Sequence, residues 1–230
     1  MSVFGHRLPI FEPREPARPS LWGDVLRGYQ GKYGLYARIR RRLLPEYFLE
    51  FVAARLPDEG RVLDIGCGIG LFTLFLAARK PCLMFTGLEF VPARVTAARS
   101  AAAAAGIQNV SFSQADAREP RFAGGYDAVL LFDVLHHLPP SASTALLKAA
   151  FAALRPGGVI IVKEIDTRPR WAWGFTYLLD LAMAPHDRYG YFSRASRGRQ
   201  ISEAGFSGVW SLPLATALPY PHIVLSGAKL

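Results

Sequence analysis

Acidic side chains and glycines combine at one point of this chain in a pattern that suits the binding of a nucleotide. Residues 61–70 read RVLDIGCGIG, with Asp64 before three glycines that are spaced two residues apart. Glycine lets the backbone adopt positive φ and approach a ligand closely, since it has no Cβ. The apolar residues after Gly70 predict a helix whose first amides point towards the same ligand. Glycines also occur in turns for geometric reasons alone, so the pattern needs support from the rest of the chain.

Glu89 supplies part of that support. It ends a second apolar run, residues 82–89, and lies nineteen positions after Gly70. In dinucleotide-binding folds an acidic residue about 20 positions downstream of the glycines accepts hydrogen bonds from the ribose hydroxyls. We therefore interpret Glu89 as a ribose ligand. Its negative charge argues against a 2′-phosphorylated nucleotide such as NADP.

Polar residues also follow the later predicted strands. The carboxyl ends of parallel strands meet at one edge of a sheet, where open α/β folds bind their ligands. We therefore expect the polar groups that follow these strands to lie near one another. These residues are Asp116, Asp133, His136, His137, Glu164 and Asp166.

Taken in order, these segments resemble the motifs of the class I S-adenosylmethionine-dependent methyltransferases. The matching stretches read DIGCGIG, an acidic end to the second strand, ADA, DAVLLFDVLHHL and LRPGG, and they cover about residues 61–166 without a break. The resemblance implies a Rossmann-like α/β fold with helices on both faces of a mostly parallel sheet. Its strand order would be 3-2-1-4-5-7-6, with the last strand antiparallel. The predicted strands are residues 61–65, 82–88, 110–114, 127–132, 158–164, 208–213 and 222–229.

The same resemblance implies S-adenosylmethionine as cofactor and S-adenosylhomocysteine as product. Asp64 would hold the ammonium of the methionine part, and Asp116 with the Ala117 amide would pair with the edge of the adenine. An Asx turn is the alternative interpretation of Asp116. The full set of residues assigned to the cofactor is Asp64, Gly66, Cys67, Gly68, Glu89, Phe90, Asp116, Ala117, Phe132 and Tyr33.

Methyl transfer from a sulfonium depends mainly on alignment of donor and acceptor in a dry pocket. A base is needed only where the acceptor is a hydroxyl or an ammonium that must lose a proton. His137 and His136 are the candidate catalytic bases, because an imidazole has an ordinary pKa near 6.5. Asp133, Glu164 and Asp166 are rivals as substrate ligands, and the sequence leaves the choice open. No metal is expected in this site.

Residues 167–199 form the predicted lid and substrate-recognition segment. Its first half contains aromatic residues that line an apolar acceptor site or pack as ordinary core, and both interpretations stay open. This stretch is too short, and with Asp180 too polar, to span a bilayer. The aromatic candidates for substrate contact are Trp171, Trp173 and Tyr177.

Composition agrees with a single domain of moderate size. The chain has 230 residues, of which 51% are hydrophobic, and a formal net charge of +9; such a length suits one α/β core. We expect an N-terminal arm and helical cap over 1–58, with residues 1–20 irregular and a helical region at 35–56. The cofactor-binding core would be 59–166, and a C-terminal helix with the last strands would occupy 200–230. Both cysteines are expected to be reduced and buried.

The basic charge and the apolar lid together indicate the kind of partner. We expect a hydrophobic small-molecule acceptor, presented by an acidic carrier protein or by an anionic membrane surface. No nucleic-acid module is recognisable, so no nucleic-acid partner is expected. The expected location is cytoplasmic, with peripheral contact at the inner membrane as an option, and the oligomeric state stays open. Two alternative functions are a related binding protein without turnover and another nucleotide-cofactor enzyme on the same fold.

Overall fold

Helices and strands alternate along most of the chain. A computed structural model describes residues 19–183, 190–215 and 220–230. In these ranges the strands are β1 Gly60–Ile65, β2 Leu83–Glu89, β3 Val110–Gln114, β4 Tyr126–Phe132, β5 Leu154–Ile165, β6 Ser207–Pro213 and β7 His222–Ala228. The helices are α1 Pro19–Arg27, α2 Gly31–Leu43, α3 Glu46–Ala53, α4 Leu71–Arg79, α5 Pro92–Ala105, α6 Pro140–Ala153, α7 Arg170–Met183 and α8 Arg194–Glu203, with a short 3₁₀ turn at Leu135–His137. None of the helices within the described ranges is long and apolar enough to cross a membrane.

The described strands form one sheet in the order β3-β2-β1-β4-β5-β7-β6. Strands β1 to β5 pair in parallel, whereas β7 runs antiparallel to both β5 and β6. The predicted order and the antiparallel last strand are therefore confirmed. Because β7 is antiparallel, its first residue His222 lies beside Ile165, at the edge where the parallel strands end.

The two faces of the sheet pack against different helices. One core lies under α1 to α5, and the other lies under α6 and α8. Side chains alternate between these faces along a strand. Lys163 therefore shares the α1–α5 face with His222, whereas Glu164 lies on the α6–α8 face. This alternation divides the polar groups at the end of β5 between two environments.

The N-terminal helical region differs from the prediction. The region expected at residues 35–56 consists of two helices, α2 and α3, which are interrupted at Leu44 and Pro45. Leu44 adopts an extended conformation, with φ −102° and ψ 119°, because the ring of a following proline disfavours the helical region. Helix α1 was not predicted and begins at Pro19, inside the stretch expected to be irregular. Residues 1–18 of that stretch lie outside the described residues.

Three smaller expectations also need correction. Cys82 is exposed, not buried, because β2 begins one residue later at Leu83. Strand β5 begins at Leu154, directly after α6, and not at residue 158 as predicted, so it takes in Gly157, which has φ +81°. Helix α8 begins at Arg194 because the Ser193 hydroxyl accepts a hydrogen bond from the Ser196 amide and caps it.

Two glycines at helix ends share a positive φ but differ in how closely other atoms pack around them. Gly70 and Gly106 both have positive φ, at +74° and +67°. A Cβ on Gly70 would lie 2.6 Å from the Phe112 ring and 2.9 Å from the Ala98 methyl, whereas a Cβ on Gly106 would meet nothing within 4 Å.

We therefore expect Gly106→Ala to lower the free energy of unfolding by about 1–2 kcal/mol through the positive φ alone. Gly70→Ala should cost about 1–3 kcal/mol more, because a well-packed core must also shift to accept the methyl group. Urea denaturation of the two variants measures both terms. Equal losses would show that the packing around Phe112 yields without cost.

Candidate functional site

The glycine turn between β1 and α4 is held tightly against β2. Gly66, Gly68 and Gly70 all have positive φ, as their spacing suggested. The amides of Gly66 and Cys67 donate to the Leu88 carbonyl at 2.7 and 3.0 Å, so they fix the loop and are engaged within the protein. A Cβ at Gly68 would meet nothing within 4 Å. The turn therefore leaves open space at Gly68.

Tyr29 ties the N-terminal helices to this loop. Its buried hydroxyl donates to the Ile69 carbonyl at 2.7 Å, and burial raises the pKa of the phenol well above its ordinary value. Tyr33, which the sequence assigned to the cofactor, is half-buried in α2, and the Lys32 ammonium lies 5.3 Å from its ring. The residue that contacts the loop is therefore Tyr29, which lies in the connection between α1 and α2, four positions before Tyr33.

Asp64 lies at the end of β1 beneath the glycine loop. It is 2% exposed, and its Oδ2 accepts a hydrogen bond of 2.5 Å from the Thr73 hydroxyl on α4. Burial raises the pKa of this carboxyl to about 7, the Thr73 hydrogen bond opposes the rise, and the nearby Glu89 charge adds to it. Asp64 therefore fixes the helix that follows the loop and titrates near neutral pH.

Glu89 closes the same loop from β2. Its carboxylate is 6% exposed and accepts hydrogen bonds from the amides of Gly68 at 3.0 Å and Val91 at 2.9 Å. The Arg94 guanidinium lies 3.7 Å away. The loop thus carries two buried carboxylates, one at the end of β1 and one at the end of the adjacent β2.

Three residues assigned to the cofactor, Phe90, Asp116 and Ala117, follow the ends of β2 and β3, and Arg118 lies among them. Arg118 donates from both its backbone amide and its guanidinium to the Asp116 carboxylate, at 2.6–2.9 Å. The amide contact is an Asx turn, and the guanidinium lowers the pKa of Asp116. The Arg118 guanidinium also lies 4.9 Å from the ring of Phe90, which is 52% exposed, and Ala117 is half-buried. A ligand of Asp116 must therefore compete with Arg118.

A charged cluster at the ends of β4, β5 and β7 surrounds Asp133. Asp133 adopts a left-handed conformation with φ +58°, and the Lys163 ammonium lies 2.7 Å from both of its carboxylate oxygens. Arg40 from α2 donates to Asp133 at 3.1 Å, and Nε2 of His222 lies 3.2 Å from the Lys163 ammonium. Burial alone would raise the pKa of Asp133, but the two cations hold it well below its ordinary value.

The residue before Asp133 belongs to the core. Phe132 is 7% exposed and meets the Phe48 ring edge-on, with 5.2 Å between centroids. The structure thus places it beneath the α1–α5 helices, against α3.

Sequence reasoning missed the roles of Arg40, Lys163 and His222. The sequence could have indicated His222, because an antiparallel last strand begins at the edge where the parallel strands end, and His222 is the first residue of that strand.

His136 and Glu164 pair on the opposite face of the sheet. The His136 ring nitrogen Nδ1 lies 2.9 Å from Glu164 Oε2, while Glu164 Oε1 accepts from the Leu135 amide at 2.8 Å. Both side chains are almost fully buried. Burial alone would raise the pKa of Glu164, but His136 and Arg197 bring it below the ordinary value. His137 is exposed, and its ring centroid is 4.2 Å from that of His136.

The aromatic residues of α7 divide between two environments. Trp173 and Tyr177 stack with 5.8 Å between centroids, and both contact Tyr191, whose ring stacks on His136 at 5.5 Å. Trp173 and Tyr177, both predicted to contact the substrate, thus lie near His136 through Tyr191. Trp171 is instead 69% exposed and lies on the solvent-facing side of α7.

Asp166 does not join either cluster. Its Oδ1 accepts from the Arg194 amide at 3.1 Å, and its own amide donates to the Pro221 carbonyl at 2.7 Å. The carboxylate therefore holds the start of α8 near the end of β5. This contact gives Asp166 a structural role at the border of the predicted lid.

Comparison with known proteins identifies the family to which this chain belongs. The sequence model of a family described as "Methyltransferase domain" matches residues 36–211, which is more than half of the chain. This chain belongs to that family. Together with its sheet order, the match makes the chain a class I S-adenosylmethionine-dependent methyltransferase, as the order of the motifs predicted.

Individual relatives agree with this assignment. The ubiquinone biosynthesis O-methyltransferase of Xanthomonas axonopodis pv. citri (strain 306) is 32% identical over 123 residues, covering 53% of this methyltransferase and 50% of that protein. The chain thus spans about half the length of the curated relatives it matches. The S-adenosylmethionine-dependent methyltransferase SibL, solved in its apo form, has a TM-score of 0.66 and 28% identity, covering 80% of this chain and 55% of its own. PigF, solved with SAH, has a TM-score of 0.69 and 23% identity, covering 90% and 62%.

S-adenosylmethionine is the cofactor of this methyltransferase, and the described residues fit it. The buried carboxylates of Asp64 and Glu89 suit an ammonium and a pair of ribose hydroxyls, which are the groups that the sequence assigned to them. Gly68 leaves open backbone beside Glu89. The fit is thus one of donor and acceptor chemistry along the ends of β1 and β2.

The raised pKa of Asp64 predicts a pH dependence of cofactor binding. An ammonium prefers the ionised carboxylate, and with a pKa of about 7 the fraction ionised rises between pH 6 and pH 8. We expect the affinity for S-adenosylhomocysteine to increase about tenfold over this range, as linkage requires for a ligand that binds only the ionised form. Calorimetry at the two pH values measures the change.

Asp64→Asn is the control for this prediction, because it removes the titrating group and keeps an acceptor for the Thr73 hydroxyl. Its affinity should be lower at pH 8 and should change little between the two values. A wild-type affinity that is flat between pH 6 and pH 8 would show that Asp64 does not hold the ammonium.

Proposed function

We propose that this methyltransferase transfers a methyl group to an oxygen of a small, hydrophobic acceptor in secondary or lipid metabolism. When bound, S-adenosylmethionine supplies a methyl group on a positively charged sulfur. The observation that carries the proposal is the buried His136–Glu164 pair after β4, because a hydroxyl acceptor must lose a proton. O-methylation is also the activity in the name of the Xanthomonas relative.

Glu164 prepares His136 for the role of base. An ionised carboxylate beside Nδ1 favours the tautomer that carries its hydrogen on Nδ1, which leaves the basic lone pair on Nε2. The same negative charge stabilises the imidazolium that forms when the proton arrives. The Leu135 amide holds the second oxygen of Glu164 and so fixes the orientation of the pair.

The aromatic rings around His136 suit a flat, apolar acceptor. Tyr191 stacks on the imidazole, and Trp173 and Tyr177 contact Tyr191 in turn. Aromatic side chains provide a large apolar contact area with defined geometry. These rings, two of which belong to α7, support an acceptor with a large apolar part.

The two neighbouring histidines provide a matched test of the base. We expect His136→Gln to lower kcat about 10²-fold or more, the usual contribution of a general base, and His137→Gln to lower it much less. The assay follows methyl transfer from labelled S-adenosylmethionine to a panel of hydroxylated aromatic compounds, with product mass as the readout. Affinity for S-adenosylhomocysteine in both variants serves as the folding control. A larger loss in His137→Gln would assign the base to the exposed ring.

The same assay separates the two alternative functions. Binding of S-adenosylhomocysteine without turnover on any acceptor would favour a binding protein that has kept the fold. Binding of NAD in place of both sulfur nucleotides would favour another nucleotide-cofactor enzyme.

We also propose that the acceptor reaches the enzyme from an anionic membrane surface. Large apolar side chains protrude from α2 and α7, where Leu35, Ile39, Trp171 and Leu178 are 48–69% exposed. Exposed basic residues accompany them, namely Lys32, Arg38, Arg42, Arg168 and Arg170. Both helices reach the ligand edge of the sheet, since Phe175 of α7 lies 6.0 Å from the ring of Tyr220, which stacks on His222, and Arg40 of α2 donates to Asp133.

Such a combination of protruding apolar groups and cations favours interfacial contact with lipid. We expect the protein to bind vesicles that contain phosphatidylglycerol and not vesicles of phosphatidylcholine alone. A double variant, Leu35→Ser with Ile39→Ser, should bind the anionic vesicles at least about tenfold more weakly, since burial of each such side chain contributes about 1.5–3 kcal/mol when complete. Vesicle flotation measures the bound fraction.

Met84→Ser is the matched control. Met84 is 55% exposed but lies near the start of β2, at the other edge of the sheet, so its loss should leave vesicle binding unchanged. Failure of the wild-type protein to bind anionic vesicles would leave an acidic carrier protein as the source of the acceptor.

A further inference from the structure

His222 carries a buried polar atom that the hydrogen bonds of the described residues do not use. The side chain lies at the first position of β7, at the ligand edge of the sheet, and is 8% exposed. Its Nδ1 has no hydrogen-bond partner within the part of the chain that the structure describes. Buried polar atoms normally have a partner, so an orphaned one at this edge points to a ligand.

The contacts of Lys163 identify Nδ1 as a donor. An ammonium has three hydrogens and no acceptor, and two of its contacts go to the Asp133 oxygens at 2.7 Å. The third lies along the 3.2 Å approach to His222 Nε2. Nε2 must therefore accept, which leaves the imidazole hydrogen on Nδ1. Tyr220 stacks on the imidazole at 5.1 Å, with 2° between the planes, and holds the ring in this orientation.

The charges around this donor favour an anion. Arg40 and Lys163 are cations, and Asp133 is the carboxylate that both contact, so the cluster retains one positive charge. Glu164 lies on the other face of the sheet and is paired with His136. Burial and the adjacent Lys163 charge lower the pKa of His222, which keeps its imidazole neutral and its tautomer defined.

We infer that Arg40, Lys163 and His222 form a subsite for a negatively charged oxygen of the acceptor, which accepts a hydrogen bond from His222 Nδ1. This inference rests on the proposed function, because it names the acceptor as an organic acid whose charge is a carboxylate or a phenolate. Asp133 positions the two cations and does not contact the acceptor. The subsite lies on the α1–α5 face of the sheet, whereas the His136–Glu164 pair lies on the other.

A network that only holds the fold together would not require the donor on His222. The Asp133 carboxylate with Arg40 and Lys163 already joins α2 to β4 and β5. His222 adds a buried donor that this connection does not require. A subsite explains the donor and the excess positive charge together.

The test compares anionic probes with neutral ones of similar shape, by calorimetry with saturating S-adenosylhomocysteine. The first pair is 4-hydroxybenzoate and its methyl ester, and the second is 4-nitrophenolate and 4-nitrobenzyl alcohol. In at least one pair the anion should bind about tenfold more tightly, as expected for a hydrogen bond to a charged group. A preference in the first pair alone identifies the charged group as a carboxylate, and one in the second alone identifies it as a phenolate.

Two substitutions assign the preference to His222. His222→Phe keeps an aromatic ring beside Tyr220 but removes the donor, so the anion preference should fall about tenfold. His222→Asn places an amide hydrogen near the position of Nδ1 and should retain most of the preference. Nitrogen NMR of the histidines, assigned with His222→Phe, should show the Nδ1–H tautomer and a shift on addition of the anion.

The cofactor provides the control that separates this inference from the proposed function. Loss of S-adenosylhomocysteine binding in the wild-type protein would contradict the function itself. Intact cofactor binding with no anion preference in either pair, including no probe binding at all, would overturn the subsite. A preference that survives in His222→Phe would overturn it equally.

Discussion

The ionised carboxylate of Asp133 is the contact on which the ligand edge of this protein depends. It lies between Lys163 of β5 and Arg40 of α2, and its left-handed backbone directs the chain from β4 into the turn that carries the histidines. A buried cation is costly without a partner, so each of these groups requires the other. One carboxylate thereby joins the N-terminal helices to the ligand edge of the sheet.

The alternation of side chains along β5 then divides the chemistry of the site. Lys163 points to the face covered by the N-terminal helices, and the next residue, Glu164, points to the face covered by α6 and α8. The His136–Glu164 pair therefore lies on one side, and the cluster of Asp133, Lys163 and His222 lies on the other. A single strand thus separates the two groups of polar residues.

The glycine turn and the carboxylates beside it could be predicted from the sequence because their positions depend on local structure. The glycine turn, Asp64 and Glu89 lie at the ends of adjacent strands, and the turn geometry depends on residue type and spacing over short stretches. The predictions were wrong where an adjacent residue, a strand boundary or the orientation of a helix determined the local structure. The helical region broke at Pro45, Cys82 fell one residue outside its strand, and Trp171 lay on the solvent side of a helix whose pattern was apolar on several faces.

The sequence by itself determined the family, the order of the strands and the residues at the ends of β1 and β2, because short-range spacing and apolar runs specify strands and turns. Only the tertiary structure decided that Tyr29 supports the glycine loop, that Arg40 pairs with Asp133, and that His222 lies beside Lys163. These contacts join residues whose proximity depends on how strands and helices pack. Lys163 and His222 are 59 residues apart along the chain, and an antiparallel strand brings them together.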